Sequence, residues 1–141
     1  LLDITKIIEG WIDEYNPDVV YTHCAGDVNV DHCITYRSVL VATRPTSNCQ
    51  VRELYSFEVP SSTEWAFQTV SPTFHPNTFV NITKTIDRKI RALEAYESEI
   101  RTFPHPRSPK ILMSAANRWG SVISVEYAEA FQLIRSVKGL D

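Results

Sequence analysis

With 43% apolar and 22% charged residues, a 141-residue chain has the material for one buried core, and its net charge of −3 (14 basic, 17 acidic) argues against a nucleic-acid-binding surface. No apolar run approaches the ~20 residues that cross a bilayer, and no basic start leads into an apolar signal-type segment. Cys24, Cys33 and Cys49 show no CxxC spacing, so neither a zinc ribbon nor a disulfide framework is indicated and a reducing, cytoplasmic compartment is expected.

The chain opens on Leu1 inside a helical pattern and is expected to be a piece of a longer polypeptide, truncated at its N-terminus. In DITKIIEGWIDEY, residues 3 to 15, the positions Ile4, Ile7, Ile8, Trp11, Ile12 and Tyr15 share one helical face. Asp3 is a candidate cap, and Asn16-Pro17-Asp18 stops the helix. VVYT, residues 19 to 22, is β-branched and apolar throughout, the pattern of a strand covered on both faces. Residues 31 to 43 predict a second helix with Ile34, Val39 and Leu40 among its apolar positions, and VRELYSFEV, residues 51 to 59, a second strand. Helix, strand, helix, strand in that order predicts a parallel sheet with crossover helices.

Residues 60 to 76 are rich in Ser, Thr and aromatics and predict a long connection; FVNI, residues 79 to 82, predicts a short strand. A helix over 84 to 100 follows, with Ile86, Ile90, Leu93 and Tyr96 as its core stripe. FPHPRSP, residues 103 to 109, holds three prolines, which remove donors and fix φ, so no regular element is expected there. Residues 110 to 119 predict a short helix, and YAEAFQLIRSV, residues 127 to 137, fits strand or helix, with a strand favoured for its second half.

HCAGDVNVDH, residues 23 to 32, sets His23, Asp27, Asn29, Asp31 and His32 between the first strand and the second helix. In open α/β sheets ligands bind beyond the carboxyl ends of the strands, and a helix start offers unpaired N–H groups. The plain alternative makes Asp31 an N-cap and His32 a half-exposed residue of the first turn. His23 fits either a site residue or a hydrogen-bonded structural imidazole, and Asp27 reads as a carboxylate that organises the loop. Arg107 has a guanidinium that forks onto phosphate or carboxylate, and His105 is placed to touch a sugar; an ordinary ordered loop explains both nearly as well. Trp65 and Phe67 fit sugar stacking or ordinary packing, and Cys33 carries no catalytic signal.

Asn29-Val30-Asp31-His32 resembles the second motif of the LmbE-like deacetylases, the family that includes the PIG-L enzymes acting on N-acetylglucosaminyl-phosphatidylinositol. ATRP (42 to 45), ELYSFEVPSSTEW (53 to 65), FHPNTFVNIT (74 to 83), ALEAYESEIR (92 to 101), PHPRS (104 to 108) and YAEAF (127 to 131) continue the resemblance in matching order. It implies an α/β fold, a Rossmann-like three-layer α/β/α arrangement with a mostly parallel sheet, and residues 1 to 141 as a single domain, the C-terminal part of such a catalytic domain. It further implies a zinc-dependent hydrolase that removes an acetyl group from an N-acetylglucosamine-type amino sugar. His32 is then a zinc ligand, Asn29 stands where relatives have an oxyanion-stabilising His, and Asp31 orients the zinc His; these are the catalytic and metal residues it implies, with His105 and Arg107 binding substrate. The family holds zinc with a His and an Asp of a His-Pro-Asp-Asp motif and takes its general base from the same motif. That motif is absent here: His75-Pro76 leads into Asn77-Thr78, and His105-Pro106 into Arg107-Ser108. The chain alone is therefore expected to bind no stoichiometric zinc and to be inactive. Two other classes stay open from the residues: a non-catalytic sugar- or nucleotide-binding α/β module, and a scaffold whose polar loop is capping chemistry.

Overall fold

The structure, a computed structural model, describes residues 1–46 and 49–139. Along the chain come α1 (Leu2–Tyr15), β1 (Val19–His23), α2 (Val30–Ala42), β2 (Glu53–Phe57), a single 3-10 turn (Glu64–Ala66), β3 (Thr78–Asn81), α3 (Ile86–Glu94), α4 (Pro109–Val122) and β4 (Ala128–Ser136). The fold is mixed α/β, with hydrogen-bonded strands in the order β1-β2-β4-β3. Two compact units make up the chain, Leu1–Pro76 with the C-terminal stretch from Phe131, and Asn77–Ala130.

In the first unit β1, α2 and β2 form the predicted parallel crossover, with Val19 opposite Glu53 and His23 opposite Phe57. β4 pairs antiparallel with β2, with an irregularity between Leu54 and Tyr55. This corrects the expected mostly parallel sheet. Strand alternation reads the same in either direction, so YAEAFQLIRSV carries no information about polarity. Ile8 and Ile12 of α1, Val39 of α2, Val51 and Leu54 form the core, with Val20, Leu40 and Ile134 packed against it; Leu54 is 0% exposed. Burying such a side chain stabilises by about 1.5–3 kcal/mol.

α1 ends where Asn16 turns left-handed at φ 46° and its N–H reaches the Ile12 carbonyl, a closure that Pro17 then cannot extend. Its cap is Leu1 rather than Asp3, which lies in the first turn where a carboxylate favours the free N–H groups. The six residues of the predicted apolar face of α1 do not share one environment: Ile8 and Ile12 are buried, while Ile4, Ile7, Trp11 and Tyr15 are exposed. The stripe is wider than the surface offered to it. Arg135 of β4, unremarked in the sequence, crosses to the Thr43 and Val51 carbonyls at 2.5 and 3.2 Å, tying the end of α2 to the approach to β2.

In the second unit Ile82, Ile86 and Ala116 form a smaller core with Met113 and Tyr127 against it. α3 is shorter than predicted. Tyr96 is 66% exposed, so the last turn of the expected helix has no apolar surface to hold it, and Tyr96 N closes instead onto the Leu93 carbonyl at 2.9 Å. α4 begins earlier and runs longer than predicted, because Ser108 caps it by accepting from Ile111 N and Pro109 takes the first helical position. Gly120 is required there: a Cβ would come within 2.6 Å of the Val125 carbonyl oxygen and 2.7 Å of that of Glu126.

Candidate functional site

His23 closes β1, and the chain then loops through Asp27 to Asn29, the N-cap of α2. Asn29 Oδ1 accepts from Asp31 N at 2.9 Å, so the cap is Asn29 and not Asp31. The loop can lie flat because residue 26 is glycine; a Cβ there would meet the Val70 carbonyl oxygen at 2.6 Å and collide with that of Pro72. Cys33 is structural, its Sγ donating to the Ala25 and Asp27 carbonyls at 3.4 and 3.2 Å.

Asp27 organises the site. It is 2% exposed, and each of its oxygens accepts two donors. Oδ1 takes Asn29 N at 2.8 Å and the Ser62 hydroxyl in a close contact. Oδ2 takes the Thr63 hydroxyl at 3.0 Å and His32 Nδ1 at 3.1 Å. Burial pushes this carboxyl up, but hydrogen bonds from Ser62, Asn29 N, His32 and Thr63 outweigh it and hold the group below the ordinary Asp value. Ser62 and Thr63 follow β2, so one carboxylate ties together the loops at the carboxyl ends of both parallel strands. Glu64 folds the second loop, accepting from Ser61 N at 2.6 Å and Ser62 N at 3.2 Å.

This geometry sets the state of His32. Nδ1–H donates to Asp27, which leaves the lone pair on Nε2, 3.4 Å from Asn29 Nδ2. A carboxylate behind an imidazole fixes its tautomer and ring direction, the arrangement found behind metal-binding histidines. The partner of the ring is Asp27, where the sequence pointed to Asp31; Asp31 is exposed in the first turn of α2. Ser62 Oγ also lies 3.5 Å from His32 Nδ1, which brings Ser, His and Asp together. It is not a nucleophile triad: Ser62 donates to Asp27, and both sit on the same ring nitrogen, so no base is left to activate the hydroxyl.

His23 stacks on His32 with ring centroids 4.2 Å apart and 16° between planes. Burial first, and the neighbouring His32 second, hold its imidazole below the ordinary value, against an opposing pull from Asp27. Parallel rings send their in-plane lone pairs side by side rather than to one point, so the pair is not a chelate. A catalytic zinc takes three protein ligands and an open position. Among the described residues no three His, Cys, Asp or Glu side chains are grouped to hold a metal ion. His32 Nε2 fits as one ligand; the oxygens of Asp27 are taken, and these side chains by themselves do not make a zinc site.

His105 and Arg107 lie in the second unit. His105 Nδ1 accepts from Arg107 N at 3.1 Å, and the Arg107 guanidinium is paired with Glu99. Trp65 and Phe67, on the turn after Ser62 and Thr63, are 44% and 76% exposed, so they are not core residues. Ser62 and Thr63 are what sequence reasoning missed. Their only signal was the run of hydroxyl residues just beyond the end of a strand.

No helix among the described residues is long and apolar enough to cross a membrane. No family model matches the chain, and no curated protein matches it. Solved structures do. The conserved protein TT1542 from Thermus thermophilus superposes with a TM-score of 0.75 at 19% identity, over 99% of this chain and 62% of that one. An N,N'-diacetylchitobiose deacetylase from Pyrococcus horikoshii, solved with its inhibitor MPG, gives a TM-score of 0.69 at 16% identity, over 94% of this chain and 51% of that one. The likeness is one of fold, and the chain spans less than two thirds of either neighbour's length.

Proposed function

We propose that this chain carries part of the active site of a LmbE-like, PIG-L-type hydrolase that removes an acetyl group from an N-acetylglucosamine-type amino sugar. The observation that carries the reading is the Asp27–His32 pair at the carboxyl ends of two parallel strands, which leaves the ring lone pair on Nε2, beside Asn29. The ordered landmarks along the sequence and a deacetylase among the fold neighbours support it; nothing favours a non-catalytic binding module over it.

His32 is the ligand this chain contributes to a zinc ion, which when bound would polarise the amide and acidify a water. The remaining ligands and the general base lie outside the described residues. Asp27 holds the tautomer and direction of His32. Asn29 Nδ2, beside the His32 lone pair, is placed to donate to an oxygen that becomes negative as the amide is attacked, an effect worth ~3 kcal/mol for a well-aimed donor. Asp31 sits at the helix start and supports the Asn29 cap through its own N–H. His105 and Arg107 are assigned to substrate. Three free thiols fit work in a reducing, cytoplasmic compartment.

The test is acetate release from N-acetylglucosamine derivatives in the presence of zinc. The 141-residue chain alone is inactive on this reading. A polypeptide that joins it to the remaining ligands and base is expected to release acetate, and His32→Ala to abolish that release. Activity that survives His32→Ala refutes the proposal.

A further inference from the structure

We infer that His23 is a positioning residue, whose ring holds the plane of the His32 imidazole so that its Nε2 lone pair keeps one direction. The hydrogen bonds of His32 act at two points in its plane, Asp27 at 3.1 Å on Nδ1 and Asn29 at 3.4 Å on Nε2, and the second is long. Neither resists tilting of the ring out of plane. A flat plate against one face does, and His23 lies 4.2 Å away at 16°. The plate is itself held: His23 ends β1 opposite Phe57, whose ring is 5.2 Å away and tilted by 50°. A structural histidine would be kept by its hydrogen bonds, yet among the described residues His23 Nδ1 is buried without a partner. Leaving a buried nitrogen unpaired is a cost, and the contact that answers for the ring is the one it makes with His32.

The inference draws its catalytic meaning from His32 as the working imidazole, but its test requires no hydrolysis. In this chain, long-range 15N–1H correlation at alkaline pH, where both rings are neutral, reads the tautomer of His32. The wild-type chain and His23→Phe, which keeps a flat ring, are expected to show His32 as one species, protonated on Nδ1 and bare on Nε2. In His23→Ala the unsupported ring tilts its Nδ1–H out of line with Asp27, the bond that fixes the tautomer weakens, and the averaged signals of a ring exchanging between tautomers are expected. Should His23→Ala fail to fold, His23→Leu, apolar but not flat, gives the same readout. A single Nδ1–H species in the Ala or Leu variant, or its loss in His23→Phe, overturns the inference. A longer polypeptide without acetate release would overturn the functional reading and leave this one standing.

Discussion

Replacing Asp27 with asparagine keeps the shape of the side chain and changes only what it can accept. In the native site two donors, Asn29 N and Ser62 Oγ, converge on one oxygen, and two more, Thr63 Oγ1 and His32 Nδ1, on the other. Whichever way the new amide turns, its NH2 faces one of these pairs, donor against donor. Hydrogen bonds to a charged group are worth about 1.5–3 kcal/mol each. Two are lost outright, the two that remain lose their charge assistance, and a hydroxyl able to rotate recovers a part. The sum is a destabilisation of about 2–4 kcal/mol, a large share of the 5–15 kcal/mol typical of whole domains. Urea unfolding followed by circular dichroism measures it: the midpoint falls while the slope stays unchanged, because the same surface is exposed on unfolding. In a thermal scan the loss reads as a fall of about 5–15 °C. A change below about 0.5 kcal/mol, the size of an ordinary surface substitution, would refute the account of Asp27 as the joint between the two loops.

Leu54→Ala, at the centre of the first core, is expected to cost about 2–5 kcal/mol in the same assay, since its 0% exposure leaves the cavity no route to solvent relaxation. Gly26→Ala is expected to cost about 1–3 kcal/mol, because the new methyl group meets the backbone oxygens of Val70 and Pro72 rather than a side chain that can swing away. Tyr55 donates to Glu53 at 2.7 Å, and that hydrogen bond raises its ionisation above the ordinary value. The folded chain thus holds the phenol proton more tightly than the unfolded chain, and the stabilisation, complete below the unfolded pKa, is lost as pH rises through the folded one. Glu53→Gln should bring the alkaline absorbance titration of Tyr55 back toward the ordinary range; an unmoved titration would place the cause elsewhere.

The crossover from β1 through α2 to β2 was legible because two periodicities alternate there, apolar and β-branched in the strands, helical between them. Three features were not. The direction of β4 leaves no trace in its alternation, and the extent of α3 depends on whether Tyr96 finds a surface, which it does not. The joint at Asp27 reaches Ser62, 35 positions away, a contact that local spacing cannot register, and spacing alone did not choose between Asp27 and Asp31 as the carboxylate on His32. The motif pointed to Asp31 as the neighbour of His32, whereas the carboxylate on its Nδ1 is Asp27. The helix-start pattern assigned the cap to Asp31, but the cap is Asn29, whose amide also faces Nε2 of His32.

The most direct measurement is zinc affinity by calorimetry, on a polypeptide that joins this chain to the further ligands the proposal requires, for the wild-type sequence, Asp27→Asn and His32→Ala. The account predicts one zinc per chain, weakened about 10–100-fold when the carboxylate behind the imidazole is neutralised and lost when the imidazole is removed. Affinity that is unchanged by His32→Ala would contradict it.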